Sequence, residues 1–220
     1  RALIDHVPEL AIADILGSTE GGMGQSIMTK DTPDSETAKF TLLPVAKVLL
    51  PDGSREVAPG SGEIGMVAQS GMVPLGYYKD PEKSAKTFKE IDGKRYAFIG
   101  DMATIEADGT INLLGRGSNC INTGGEKVFP EEVEEALKLH DAVEDALVFG
   151  LDDERFGSRV AGVVSIENKC TAEVEEILEA TRKVLASYKL PKELLIVPTV
   201  PRAPNGKADY KSAKALLLRA

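Results

Sequence analysis

The sequence predicts an α+β protein in two parts: a β-rich first half, then a mixed half in which helices and strands alternate. Three observations lead there. Between Phe40 and Leu114 the apolar runs are short and are cut by turn residues such as Pro51-Asp52-Gly53 and Asp108-Gly109, the pattern of strands joined by tight turns. After Arg116 the apolar spacing changes to helical and strand-like stretches in succession. The 220 residues are 42% hydrophobic, enough for a packed core in one ordinary domain or two small ones.

From Arg1 to about Thr37 a short apolar stretch, Leu10 to Leu16, leads into Gly17-Ser18-Thr19-Glu20-Gly21-Gly22-Met23-Gly24 and a polar run. Four glycines in those eight residues predict a loop. Strands are expected over Val45 to Leu50, Ile64 to Ala68 and Tyr96 to Ile105, and Asp108-Gly109 turns the chain into a hairpin strand at Ile111 to Leu114. This half reads as a small β-rich barrel or sheet.

In the second half a helix begins at Pro130, a good first-turn residue, with an acidic first turn at Glu131 and Glu132. Val133, Ala136, Leu137 and His140 share its buried face. Strands follow over Asp145 to Leu151 and Arg159 to Ile166. Thr171 is expected to cap a second helix, which carries Val174, Ile177, Leu178, Thr181 and Leu185 on one face. A strand at Leu194 to Val197 leads into a Pro/Gly loop from Pro198 to Lys207. The boundary between the halves lies near Gly115 to Asn119, and no internal repeat is visible.

Composition narrows the function. With 26 Lys+Arg against 35 Asp+Glu the formal charge is −9, which argues against a surface for nucleic acid or other polyanions. Phosphate chemistry must therefore rely on a few placed cations. No apolar run approaches the roughly 20 residues needed to span a bilayer, and the N-terminus lacks the order of a signal peptide, so the chain reads as soluble and cytoplasmic. Cys120 and Cys170 have no metal-ligand spacing and fit a reduced compartment. His6 and His140 are too few for a His-rich metal cluster. Ser70 lacks the flanking glycines of a nucleophile elbow, and Gly115-Arg116-Gly117 runs on to Cys120, so neither a P-loop nor a dinucleotide fingerprint is present.

Four signals remain. Gly17-Ser18-Thr19-Glu20 offers hydroxyls and backbone N–H groups to a phosphate and one carboxylate suited to Mg²⁺. Asp101 ends the apolar strand Tyr96 to Gly100, where a carboxylate would accept both hydroxyls of a ribose. Gly115-Arg116-Gly117-Ser118 sets a planar donor fork between two glycines at the junction of the halves. Pro204-Asn205-Gly206-Lys207 presents a lysine on a tight turn, able to deliver positive charge where negative charge develops. Taken singly, the plainer reading of each is the better one: a polar turn, a strand-end acid, a surface arginine, a solvated lysine.

In order and spacing, however, these residues resemble the acyl-adenylate-forming superfamily of acyl-CoA synthetases, luciferases and peptide-synthetase adenylation domains. Leu16-Gly17-Ser18-Thr19-Glu20 is similar to its aromatic-Gly-x-Thr-Glu motif. Gly62-Glu63-Ile64 with Gly76-Tyr77 is similar to Gly-Glu-Leu…Gly-Tyr, and Tyr96-Ala97-Phe98-Ile99-Gly100-Asp101 to Tyr-Arg-Thr-Gly-Asp. Gly115-Arg116, followed by Ile121, Gly124-Gly125-Glu126 and Pro130-Glu131-Glu132-Val133-Glu134, is similar to the hinge and the loop after it. Pro204-Asn205-Gly206-Lys207 is similar to the terminal Pro-x-x-Gly-Lys.

The resemblance implies that residues 1–115 are the C-terminal part of a large ATP- and acyl-binding domain. Residues 116–220 would be the mobile small domain, with the hinge near 116–118. It implies that Thr19 contacts the α-phosphate, Glu20 holds Mg²⁺, Asp101 binds the ribose hydroxyls and Arg116 holds the nucleotide, within a site formed with Leu16, Gly17 and Ser18. Lys207 would bridge the carboxylate and the α-phosphate during adenylation, and Gly124-Gly125 would line the path for the coenzyme A pantetheine after rotation. The implied chemistry turns a carboxylic acid and ATP into acyl-AMP and pyrophosphate, then acyl-AMP and CoA into acyl-CoA and AMP. Leu16 stands where the family has an aromatic on adenine, so an aliphatic face is expected there. Ser118 and Asn122 replace charged hinge residues. The stretch from Ser118 to Pro130 is most similar to bacterial synthetases for fatty or sterol-side-chain acids. The family's Ser/Thr/Gly-rich loop for the β- and γ-phosphates does not precede Leu16. The opening at Arg1 without Met then reads as the cut end of a longer chain, inactive alone. An enzyme that loads a carrier-protein thiol, and a non-catalytic nucleotide-binding module, are the alternatives.

Overall fold

The computed structural model describes residues 2–32, 39–168 and 170–219. The chain divides into two compact units, Arg1–Leu114 and Gly115–Ala220. Arg1 and Thr37, where the expected leading tract begins and ends, lie outside the described residues.

The first unit opens with the short helix α1 (Ala2–His6) and is then almost wholly β. Strands β1 (Ile12–Ser18), β2 (Gly21–Met28), β3 (Lys39–Leu42), β4 (Ala46–Leu49), β5 (Gly65–Ser70), β6 (Phe88–Ile91), β7 (Lys94–Ile105) and β8 (Ile111–Arg116) form an eight-stranded sheet in the order β1-β2-β3-β8-β7-β5-β4, with β6 on β7. The expected Asp108-Gly109 hairpin is present. Asp108 Oδ1 accepts from the Thr110 N–H at 2.9 Å and hydroxyl at 2.6 Å, and Gly109 takes φ +86°, which favours glycine. Met23, Phe40, Val48, Val57, Val67, Ala103 and Ile111 pack into one core.

One expectation fails here. The glycine-rich stretch is a hairpin rather than a loop: β1 and β2 pair antiparallel with a bulge at Leu16/Gly17, and only Thr19 and Glu20 turn. The glycines serve close approach. A Cβ on Gly21 (φ +147°) would lie 2.1 Å from the Gln69 side chain of β5, so β2 sits directly on β5 and the sheet curls back on itself. Helix α2 (Pro81–Thr87) was not anticipated; Asp80 caps it by accepting from the Lys83 N–H at 3.0 Å, and Pro81 starts it.

The second unit is a three-layer sandwich. Its sheet has the order β10-β9-β12-β11, with β13 parallel to β12. These strands are β9 (Ile121–Thr123), β10 (Glu126–Val128), β11 (Val143–Asp153), β12 (Gly157–Ile166) and β13 (Glu193–Ile196). Alternate residues of β11 face opposite sides. Ala146 and Val148 pack on α3 (Pro130–Leu137) and α4 (Val174–Arg182), through Val133, Leu137 and Ile177. Leu147, Phe149 and Leu151 pack with Ala213 of α5 (Tyr210–Leu217). Because β12 is covered on both faces, its apolar run Val160 to Val164 is continuous rather than alternating.

Two expectations are corrected. His140 is not on the buried face of a helix, because α3 ends at Leu137; His140 is half-exposed in the following turn, and its Nδ1 accepts from the Ala142 N–H at 3.2 Å. The second helix is capped not by Thr171 but by Glu173, in a reciprocal capping box with Glu176, where two carboxylates satisfy otherwise unpaired N–H groups. Leu185 accordingly falls beyond its end. The β9–β10 hairpin and α5 were not foreseen.

Candidate functional site

In the first unit, the β1–β2 turn presents Thr19 exposed and Glu20 half-exposed. The Ser18 hydroxyl accepts from the Glu20 N–H at 3.1 Å, which fixes the turn. Glu20 also accepts a short hydrogen bond from the Tyr77 hydroxyl. That bond is the main reason its carboxyl is held below its ordinary pKa, outweighing the opposing effect of partial burial. Tyr77 is in turn fixed by α2. Its N–H donates to Ser84 Oγ at 2.7 Å, its ring lies 5.4 Å from that of Phe88, and the Lys83 ammonium sits 4.1 Å over it. Gly76 clears the way, since a Cβ there would meet Ser84 Oγ at 2.9 Å. The motif pair Gly76-Tyr77 was visible in the sequence, but its contact with Glu20 was not.

We expect Tyr77→Phe to raise the Glu20 pKa toward its ordinary value, read by NMR titration. A depressed folded-state pKa stabilises the fold above the unfolded value, 4.5, and this contribution is lost as pH falls through the folded value. The variant should therefore be less stable than the parent at neutral pH, and the gap should close in acid. An unshifted Glu20 titration would remove Tyr77 as its support.

Asp101 sits at an irregularity of β7. The pairing with β5 jumps from Met66↔Met102 to Ala68↔Phe98, so Ile99, Gly100 and Asp101 bulge opposite Val67. Gly100 takes φ +95° within this bulge. Bulges re-aim side chains and gather near active sites. Asp101 is buried at 8% exposure. Leu16, expected to offer an aliphatic face to adenine, is also 8% exposed and packs into the core with Met23 and Phe40. Its neighbours Gly17 and Ser18 lie on the surface-facing part of the hairpin.

The second unit carries the remaining site residues. Arg116 is exposed and immediately precedes a 3₁₀ turn, Gly117–Asn119. Gly124 and Gly125 form the two-residue turn of the β9–β10 hairpin, at φ +59° and +91°, as a primed turn requires. The Gly124 N–H donates to the Phe156 carbonyl at 3.0 Å. Lys207 is exposed on a tight turn closed by Ala203 N–H to Lys207 O and Gly206 N–H to Ala203 O, each at 2.8 Å. Arg202 anchors the base of this turn through a two-pronged pair with Asp145, at 2.6 and 2.9 Å. Thr19, Glu20 and Asp101 therefore lie in one unit, and Arg116, Gly124, Gly125 and Lys207 in the other.

Among the described residues no three His, Cys, Asp or Glu side chains gather as a metal cluster. A single ionised carboxylate at an open turn suits Mg²⁺, which keeps several waters and is bound through one or two carboxylates plus substrate phosphates.

The family described as AMP-binding enzyme C-terminal domain matches residues 132–207. The chain is 46% identical over 214 residues to the 3-oxocholest-4-en-26-oate–CoA ligase of Rhodococcus rhodochrous, covering 96% of this chain and 38% of that protein. To the medium-chain acyl-CoA ligase Mig of Mycobacterium avium it is 44% identical over 215 residues, covering 97% and 39%. The crystal structure of apo MatB from Rhodopseudomonas palustris superposes with a TM-score of 0.72 at 29% identity, over 91% of this chain and 39% of that one. The amide bond synthetase McbA from Marinactinospora thermotolerans shares the fold with a TM-score of 0.79 at 23% identity, over 93% and 42%. The chain thus spans about two fifths of the length of these relatives.

Proposed function

Because the chain belongs to the AMP-binding, acyl-adenylate-forming family, we propose that it is part of an ATP-dependent acyl-CoA synthetase, an AMP-forming acid–thiol ligase of the cytoplasm. The reading is carried by the 46% identity over 214 residues to a CoA ligase. That relative and the Mig protein point to a fatty or sterol-side-chain acid as the substrate. Residues 1–115 would be the end of the large ATP- and acyl-binding domain and residues 116–220 the mobile small domain, hinged near 116–118. The first unit leaves Met72 97% and Leu75 96% exposed, which fits a surface that the rest of a large domain covers.

In this reading Thr19 donates its hydroxyl to the α-phosphate and Asp101 accepts both ribose hydroxyls. Arg116 pairs with nucleotide oxygens through its planar fork. Adenine rests against the hairpin at Gly17 and Ser18, because the Leu16 side chain is committed to the core. Glu20, held ionised by Tyr77, would hold Mg²⁺, which neutralises phosphate charge. Lys207 bridges the carboxylate and the α-phosphate as a carboxylate oxygen attacks α-phosphorus and the bond to pyrophosphate breaks. In the second step the CoA thiol, passing Gly124 and Gly125, attacks the acyl carbonyl and AMP leaves.

The test is the full-length protein with ATP, Mg²⁺ and a fatty or sterol-side-chain acid. Pyrophosphate exchange and CoA-dependent release of AMP are expected. Transfer to a phosphopantetheinylated carrier in place of CoA would favour a carrier-loading enzyme. Tight ATP binding by this chain alone, in calorimetry, would favour a non-catalytic module; weak or absent binding is expected.

A further inference from the structure

We propose that Glu131 is a positioning residue that clamps the segment 115–119 and so sets where Arg116 is presented; the functional part of this inference rests on the nucleotide role given to Arg116 above. Glu131 lies in the first turn of α3 and reaches back across the sequence. Its Oε1 accepts from the Asn119 side-chain amide at 3.1 Å and, more weakly, from the Arg116 N–H at 3.4 Å. Its Oε2 is buried with no hydrogen-bond partner, an arrangement that costs free energy as long as it persists.

Gly115 shows how close this contact is. A Cβ at that position would lie 2.2 Å from Glu131 Oε2, and the residue adopts φ +123°. Glycine is therefore required for two reasons, the backbone conformation and the carboxylate against it. The segment is packed tightly on its Glu131 side. On another side, Ser118 and Asn119 border an open cavity of about 320 Å³ that also touches Tyr210 and Lys214. A segment packed against Glu131 on one side and bordered by open space on another has room to shift when the Glu131 contact is lost.

The clamp reaches toward the lysine turn. Asn119 is also hydrogen-bonded to the hydroxyl of Tyr210, the first residue of α5, three residues beyond Lys207. The Tyr210 hydroxyl is pushed well above its ordinary pKa, chiefly by burial and then by the negative charges of Glu134 and Glu131. It therefore stays protonated through the neutral range. Glu131, Asn119 and Tyr210 thus join the junction segment to the helix that follows the lysine turn.

Two measurements test the clamp. In this chain, Glu131→Ala should speed hydrogen exchange of the Arg116 amide by about tenfold or more, as local opening becomes easier. Glu131→Gln keeps an acceptor oxygen and should stay near the parent rate. In the full-length protein, Glu131→Ala should raise KM for ATP about five- to tenfold and change the ratio of acyl-AMP formation to thioester formation, while Gln preserves both. Should the Ala variant fail to fold, Asn119→Ala removes the other partner and should shift both readouts the same way. Unchanged exchange, or an unchanged ratio of the two half-reactions in an active enzyme, overturns the inference. A full-length parent without pyrophosphate exchange would overturn the synthetase reading instead, and the exchange measurement would still decide the clamp.

Discussion

Lys207→Ala in the full-length protein is expected to reduce acyl-AMP formation by about 10²–10³-fold, while thioester formation from supplied acyl-AMP stays near the parent rate. The argument is one of charge and timing. Negative charge develops on the α-phosphate oxygens as pyrophosphate leaves, and an exposed ammonium on a turn is suited to meet it there. In the proposed reaction the second half-reaction would expel AMP from a carbonyl carbon and make no such demand on this residue. The substitution should also leave the turn intact. The turn is closed by main-chain hydrogen bonds between Ala203, Gly206 and Lys207 and anchored by Arg202 on Asp145, none of which uses the lysine side chain. Pyrophosphate exchange measures the first step and single-turnover CoA transfer the second. Equal loss of both would refute the role assigned to Lys207.

Glu134→Gln should stabilise the second unit above neutral pH and change little in mild acid. Glu134 is 8% exposed, and its Oε1 accepts from the Val148 N–H at 2.8 Å. Burial raises its pKa from 4.5 to about 7, aided by Glu131 and opposed by the Val148 hydrogen bond, Arg202 and Lys138. A raised folded-state pKa means that the native state holds a proton the unfolded chain has given up. The associated stability is complete below the unfolded value of 4.5, declines as pH rises toward 7, and is gone above it; the shift corresponds to roughly 3 kcal/mol. Glutamine keeps an acceptor for Val148 and never ionises. In urea unfolding the variant should therefore match the parent near pH 4.5 and exceed it by up to about 3 kcal/mol at pH 8. A difference of equal size at both pH values would refute this account of Glu134.

Much of the second unit could be read directly. The helix from Pro130, the strands later found as β11, β12 and β13, and the tight turn before Lys207 all carry local signals: a proline at the first helical position, apolar runs of strand length, and a glycine where φ is positive. Helix α2 also carried a local signal in Asp80-Pro81. It went unseen because Thr87 is the only residue it buries, which leaves no apolar stripe to find. Helix α5 lies beyond the Pro198–Lys207 loop and is only eight residues long; its stripe of Tyr210, Ala213 and Leu217 becomes a helix face through packing on β11.

The sequence by itself determined the fold class, the order of the candidate site residues and the family resemblance, because each rests on residue identity and spacing along the chain. Only the tertiary structure decided what those residues touch. Gly21 pairs with Ser18 in the β1–β2 ladder and has no room for a side chain because Gln69 of β5 lies against it. Glu20 is held by Tyr77, 57 residues away; Asp101 is redirected by a bulge that pairing with β5 creates; Leu16 turns into the core although its neighbours face outward; and Glu131 lies against Gly115. Each is a contact between segments that local propensity does not relate, so its energy exists only once the chain has closed on itself.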